Sequence, residues 1–233
     1  MDYMRFCFVP AKSQSQRLPE KNTRRLDGRE LLYYPIQCAI DSGLFHEGDI
    51  VVSSDSDSIR ELASGFGANT TYKRPEHLAR DPYGVKDVLI DYLSNHDEHS
   101  GYDHVCILLP TAPLLVPEDI KNAYRLYLSG NFGTVMSVTE TDHNALRSLY
   151  LDDGQIRPVH PECLDKKSQE LSPTYRINGA VIVISVDLLL KHQSYFVEPL
   201  GGYQMPAERS IDIDTEMDLR LAEFMISQQN TDR

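Results

Sequence analysis

Near the carboxyl end the chain reads Ser210-Ile211-Asp212-Ile213-Asp214-Thr215-Glu216. On a strand, side chains alternate between faces, so Asp212 and Asp214 are expected on one side and Ile211 and Ile213 in a core on the other. Two neighbouring carboxylates raise each other's pKa unless a cation lies between them. A hard ion such as Mg²⁺, held by one or two carboxylates plus substrate phosphate oxygens, meets that need. An acidic strand end that merely leads into a helix fits the same residues. At the other end of the chain, Lys12, Arg17, Lys21, Arg24 and Arg25 make residues 11–25 the densest basic stretch. Small and polar residues between them leave backbone N–H groups free to cradle phosphates. The loop lacks the glycines of a Walker loop or a dinucleotide fingerprint. It fits either a phosphate site or a solvated basic loop.

These segments sit in 233 residues with a formal net charge of −12. One large domain, spanning 1–233, is expected, with an insertion within it. So acidic a chain is a poor binder of nucleic acid or anionic membranes, and an anionic substrate needs a local basic pocket. The N-terminus, Met1-Asp2-Tyr3-Met4-Arg5, lacks the layout of a signal peptide, and the apolar run after it is too short to span a membrane. The four cysteines, Cys7, Cys38, Cys106 and Cys163, have no metal-ligand spacing. A reducing, cytoplasmic setting is expected.

Strand and helix patterns alternate. Strands are expected at Arg5–Pro10, Asp49–Ser53, Asn69–Lys73, Val105–Leu109, Thr134–Thr139 and Ala180–Ser185. Helical spacing covers Leu32 to Leu44, Ile59 to Phe66, Val85 to Leu93 and the stretch opened by Pro117 and closed at Gly130. Asp152-Asp153-Gly154 reads as a hairpin turn. Thr215-x-x-Asp218 reads as a capping box opening a last helix with Met217, Leu221 and Phe224 on one face. Ser53-Ser54-Asp55 reads as a capping turn or a ligand site. The expected architecture is a doubly wound, mostly parallel α/β sheet with helices on both faces. Ligands of such sheets bind beyond the carboxyl ends of the strands, where the loops after Pro10, Ser53 and Leu109 belong. Residues 140–175 break the pattern and read as an inserted dimerisation segment, or as a surface flap on a monomer.

Six runs carry a family resemblance in order: Pro10-Ala11-Lys12 through Asn22, Val51–Asp55, Lys73–Asp81, Leu109–Leu114, Arg176–Ala180 and Ser210–Asp214. Together the chain resembles the sugar-acid cytidylyltransferases, nearest to the group that activates N-acetylneuraminic acid and other nonulosonic acids. The resemblance implies a Rossmann-like nucleotide-diphospho-sugar transferase architecture, CTP and a nonulosonic sugar acid as substrates, Mg²⁺ as cofactor, and a homodimer. It implies Lys21 at the α-phosphate, and Ala11, Lys12, Ser15, Arg17 and Asn22 in the nucleotide loop. It also implies Arg74 near cytosine and ribose, and Asp212 and Asp214 at the ion, with one of them also a candidate acceptor of the sugar hydroxyl's proton. Tyr195 and Phe196 match an aromatic pair that a partner subunit supplies to the sugar site. Asn178 and Gly179 are expected to shape a turn into the next strand.

The departures from the family pattern cluster on the sugar side. Lys12 replaces an arginine and keeps the charge without the planar fork. Gln16 replaces a lysine, with Arg17 beside it. Leu109 replaces a sugar-facing glutamine, Ser168 an arginine, and Ile182 a tyrosine. A site built to hydrogen-bond one substrate rejects another lacking the matching group. The expected substrate is therefore sialic acid or a related nonulosonic acid, with pseudaminic, legionaminic or another ulosonic acid as plausible as N-acetylneuraminic acid. An octulosonic acid enzyme, or a degenerate nucleotide-binding module without turnover, remain the alternatives.

Overall fold

The structure is a computed structural model and describes residues 3–96 and 101–231. In chain order it runs through β1 (Arg5–Pro10), the short pair β2 (Arg25–Leu26) and β3 (Arg29–Glu30), α1 (Tyr33–Ser42), β4 (Ile50–Ser53) and α2 (Asp57–Gly65). There follow α3 (Val85–Asn95), β5 (His104–Leu108), α4 (Pro117–Leu128), β6 (Thr134–Glu140), β7 (Leu149–Asp152) and β8 (Gln155–Pro158). The chain closes with β9 (Tyr175–Ser185), α5 (Val186–His192), β10 (Leu200–Gln204) and α6 (Glu216–Thr231).

The main sheet has the order β10-β6-β9-β5-β1-β4. β1 pairs in parallel with both β4 and β5, and β10 with β6. Only β9 runs against its neighbours β5 and β6. Alternation along β1 sends Cys7 and Val9 into a core under α1, α2 and α4, and Phe6 and Phe8 into a second core under α3 and α5. Helices thus cover both faces, as the hydrophobic periodicity requires. The chain steps from β1 to β4 on one side and returns to β5 on the other, which opens a crevice at the carboxyl ends of β1 and β5.

A third, smaller apolar cluster joins distant parts of the chain. Leu18, Leu26 and Leu31 pack with Ile213, Leu219 and Ala222. Ile213 is fully buried there, which is worth about 1.5–3 kcal/mol relative to exposure. This cluster sets the basic loop and the acidic run side by side.

Several elements differ from the sequence expectation. Residues 69–73 form no strand: only isolated bridges at Val51–Asn69 and Ser54–Lys73 connect them to the sheet edge. Residues 211–214 also lie outside any strand, although Ile213 is buried as expected and its N–H donates to the Thr111 carbonyl (2.7 Å). The Arg176–Ala180 run lies inside β9 rather than at a turn before it. Opposite Ser137 the β6–β9 register shifts, and Gly179 takes φ +72° in that bulge. Met217, Leu221 and Phe224 share a face of α6 that is exposed; Leu219 and Ala222 form the buried one. The capping box is present, with Thr215 N–H donating to Asp218 (2.7 Å) and Thr215 Oγ1 accepting from the Asp218 N–H (3.4 Å). The hairpin of β7 and β8 turns at Asp153 and Gly154, both at positive φ.

Candidate active site

A cavity of about 320 Å³ opens at the crevice beyond β1 and β5. The nucleotide loop contributes Lys12, Ser15, Gln16, Arg17, Lys21 and Asn22 to its wall; Arg74, Leu109, Thr111 and Asp214 come from elsewhere in the chain. Lys12, Arg17, Lys21 and Arg74 outnumber the carboxylates of Asp81 and Asp214 on this wall. An acidic protein thus carries the local basic pocket that an anionic substrate needs.

The two ends of the chain meet at Asp214. Lys21 Nζ lies 2.9 Å from Asp214 Oδ1, and an Arg17 guanidinium nitrogen lies 2.8 Å from Oδ2. Lys21 precedes a buried Asn22 whose side chain donates to the Lys12 carbonyl (2.8 Å), closing the loop on itself. The Ala11 N–H donates to the Ser53 carbonyl (2.9 Å), so Ala11 anchors the loop to β4 and does not line the cavity. Arg74 is buried and donates to the Ser53 hydroxyl (3.2 Å) and carbonyl (3.1 Å). Burial lowers its pKa, and the nearby Asp55 charge opposes that shift. Its partners are therefore on β4, not Glu76 or Asp81.

Asp212 stands beside Asp214 but does not line the cavity. Burial raises its pKa; the Thr111 hydroxyl opposes this, Asp214 adds to it, and Lys21 and Arg176 draw it down. The Thr111 hydroxyl is close enough to favour the Asp212 charge, yet no hydrogen bond of good geometry reaches its buried Oγ1. It is the orphaned buried side-chain polar atom among the described residues. Two neighbouring carboxylates and the Thr111 hydroxyl beside a basic pocket make a donor set of hard oxygens, which fits Mg²⁺.

Tyr195 packs against the core under α3, and Phe196 is exposed; neither lines the cavity of its own chain. Of the three sugar-side departures, only Leu109 does. It rests on the β9 bulge, where a Cβ on Gly179 would come within 3.1 Å of Leu109 Cδ1. Ile182 is buried in the core under α3 and α5, so its position is one of packing, not of substrate contact. Ser168 lines a separate cavity between residues 140 and 174.

Asp81 and Thr111 lie in runs that carry the resemblance but have no site role assigned there, and Tyr83, Gly84 and Val85 lie outside those runs; all five are on the cavity wall. Gln16 reaches Asp81 (2.9 Å) and ties two of its loops together. Asp55 is neither a cap nor a wall residue. Ser56 caps α2, while Asp55 accepts from the Ser13 N–H (2.8 Å) and hydroxyl (2.5 Å). Burial pushes its pKa up, but the Ser13 hydrogen bonds and Arg74 outweigh that and leave it below the ordinary 3.8. The tether is therefore complete above that value and is lost only as pH falls through the lowered one. Loop order should stay level from about pH 5 to 8. Asp55→Asn should weaken binding of an anion such as pyrophosphate by this loop about tenfold, since bonds to a charged acceptor are worth ~1.5 kcal/mol or more. Calorimetric titration across that range checks both points.

Residues 6–194 match the sequence profile of the family described as Cytidylyltransferase. The N-acylneuraminate cytidylyltransferase of Streptococcus agalactiae serotype V is 33% identical over 213 residues, 91% of this chain and 51% of that protein. The chain thus spans about half the length of that relative. The pseudaminic acid cytidylyltransferase of Campylobacter jejuni serotype O:2 is 30% identical, with 94% of each chain covered. The CMP-N,N'-diacetyllegionaminic acid synthase of Legionella pneumophila is 32% identical, again with 94% of each covered. Among solved structures, a CMP:2-keto-3-deoxy-manno-octonic acid synthetase complexed with CTP has a TM-score of 0.72 at 13% identity, covering 97% of this chain and 99% of that one. At that identity the likeness is one of fold.

Proposed function

This chain belongs to the cytidylyltransferase family, and from that premise we propose that it joins CTP to a nonulosonic acid, releasing pyrophosphate and a CMP-sugar. The observation that carries this reading is the meeting of the basic loop and the acidic run at Asp214, on the wall of one cavity. The activities named for the relatives covered over 94% of their length support the substrate class.

In the proposed reaction the anomeric hydroxyl oxygen bonds to the α-phosphorus as the bond to the pyrophosphate oxygen breaks. Such a step needs orientation and charge stabilisation. Lys21, bonded to Asp214 in the free protein, would exchange that carboxylate for an α-phosphate oxygen. Lys12 and Arg17 face the remaining phosphates, and Ser15, Asn22 and Arg74 hold the nucleoside. Asp212 and Asp214, with Thr111 nearby, would hold Mg²⁺, which when bound neutralises phosphate charge. Asp212, beside Asp214, is also the candidate acceptor of the hydroxyl proton. Leu109 gives the sugar an apolar wall, which favours an acid other than N-acetylneuraminic acid. The use of CTP goes with a cytoplasmic location. No described helix is long and apolar enough to cross a membrane.

Pyrophosphate release with CTP and a panel of N-acetylneuraminic, pseudaminic, legionaminic and octulosonic acids tests the reading. Release with a nonulosonic acid supports it. Preference for the octulosonic acid moves the assignment to that class. Tight CTP binding without release from any acid leaves a nucleotide-binding module.

We also propose that residues 140–175 bring two copies together. Among the described residues the β7–β8 hairpin pairs with no other strand, and Leu149, Tyr150, Leu151 and Ile156 are all exposed, Leu151 to 73%. A lone hairpin is marginal in water, and contiguous exposed apolar surface marks an interface. Leu151→Glu should convert a dimer to a monomer in light scattering. A dimer that survives this change would place the interface elsewhere.

A further inference from the structure

Arg209 ends the short turn Ala207–Arg209, directly before the acidic run, and does not line the cavity. Its side chain reaches Asp119 at the start of α4. Nη2 lies 2.6 Å from Oδ1, and Nε 3.2 Å from Oδ2. Asp119 is fully buried. Its Oδ1 also accepts from the Tyr203 hydroxyl (2.9 Å) and its Oδ2 from the Val116 N–H (3.1 Å). Each carboxylate oxygen therefore takes two donors, drawn from the head of α4, from β10 and from the turn.

Burying such a pair gives little net stability compared with apolar residues of the same size; its best-attested use is to fix geometry. Here there is geometry to fix. Residues 210–214 belong to no sheet, so no ladder of hydrogen bonds sets their position. Side chains and single contacts do so instead. Arg176 donates to the Ser210 carbonyl (3.0 Å), Asn178 to the Ser210 hydroxyl (2.9 Å), and the Ile213 N–H to Thr111. The Arg209 fork is the upstream tether of this set, three residues from Asp212.

We propose that Arg209, locked by Asp119, is a positioning residue for the carboxylates of Asp212 and Asp214: the two-point fork fixes where the acidic run leaves its turn. The inference rests on the reading of those aspartates as the ion's holders. An arginine can do this because its planar guanidinium grips a carboxylate at two points, which a lysine cannot. If the fork acts only on the carboxylates, it should affect nucleotide bound with an ion and not nucleotide bound without one.

The test compares wild type, Arg209→Gln, Arg209→Lys and the double variant Arg209→Gln/Asp119→Asn, with no sugar acid present. Water-proton relaxation measures binding of Mn²⁺–CTP, and calorimetry with EDTA measures metal-free CTP. Arg209→Gln is expected to weaken Mn²⁺–CTP about tenfold and metal-free CTP less than twofold. Arg209→Lys should fall between it and wild type. The double variant, with no unpaired buried charge, should recover the melting temperature but stay weak for Mn²⁺–CTP. Equal weakening of both ligand forms overturns the proposal, as does unchanged Mn²⁺–CTP affinity or its return in the double variant. Absence of any relaxation enhancement in the wild type overturns the ion assignment itself.

Discussion

Lys21→Ala should lower kcat by about 10²- to 10³-fold while CTP affinity changes by less than tenfold. The Lys21 side chain is only 15% exposed, and its ammonium already sits where loop and acidic run converge. In the resting protein it is bonded to Asp214, so a phosphate must displace that carboxylate to gain it. Ground-state binding therefore gains little from Lys21. Charge that develops as the α-phosphate is attacked has no such competitor, and a fixed cation in a partly dry site acts most strongly there. Single-turnover rates measured beside equilibrium CTP titrations separate the two effects. If turnover and affinity fell by the same factor, Lys21 would serve uniform binding only.

Asp214→Asn is expected to act with opposite signs on two observables. Turnover should drop about 10²- to 10³-fold, because charge stabilisation by a bound ion amounts to several kcal/mol. Metal-free CTP should bind more tightly, about five- to tenfold, because the competitor for Lys21 is gone. A charged hydrogen bond is worth roughly 1.5–3 kcal/mol, and a neutral amide keeps part of it. The Arg17 contact adds little to that balance, since its side chain is 69% exposed. Asp212→Asn should lower turnover similarly without tightening metal-free CTP, since Lys21 is bonded to Asp214 and not to it. Calorimetry with EDTA, set against pyrophosphate release in Mg²⁺, reads both signs. Weaker metal-free binding by Asp214→Asn would mean that this carboxylate shapes the loop and does not compete with phosphate.

Much of this arrangement was legible in the chain. The apolar run Phe6-Cys7-Phe8-Val9 and helical spacing in α1 to α4 are local patterns, and they set the layers. The ordered motifs assign Lys21 and Asp214 to one site by resemblance, and the fold brings the two side chains within 2.9 Å of each other. Other features were hidden because they depend on distant partners. Asp55 looks like a cap until the fold brings Ser13 to it across 42 residues. The Arg209–Asp119 pair joins positions 90 apart. Ile182 stands where the family pattern has a tyrosine, and only the folded sheet shows it buried in the core. Alternation at 211–214 correctly buried Ile213, yet alternation cannot tell a paired strand from an extended segment held by side chains. The exposed face of α6 breaks the usual rule, since periodicity marks an apolar stripe without saying what lies against it.

The small cluster that joins Leu18, Leu26 and Leu31 to Ile213, Leu219 and Ala222 bears on how the protein is made. Synthesis proceeds from the amino end, and chains order as they emerge. The sheet strands from β1 to β10 are all translated before Ile213. The basic loop precedes all but one strand of the main sheet, yet half of its apolar support comes from Ile213, Leu219 and Ala222, which follow the whole sheet. A growing chain can therefore build the six-stranded sheet before this loop has the packing that holds it beside Asp214. On the proposed reading, competence for nucleotide would follow completion of the sheet rather than accompany it.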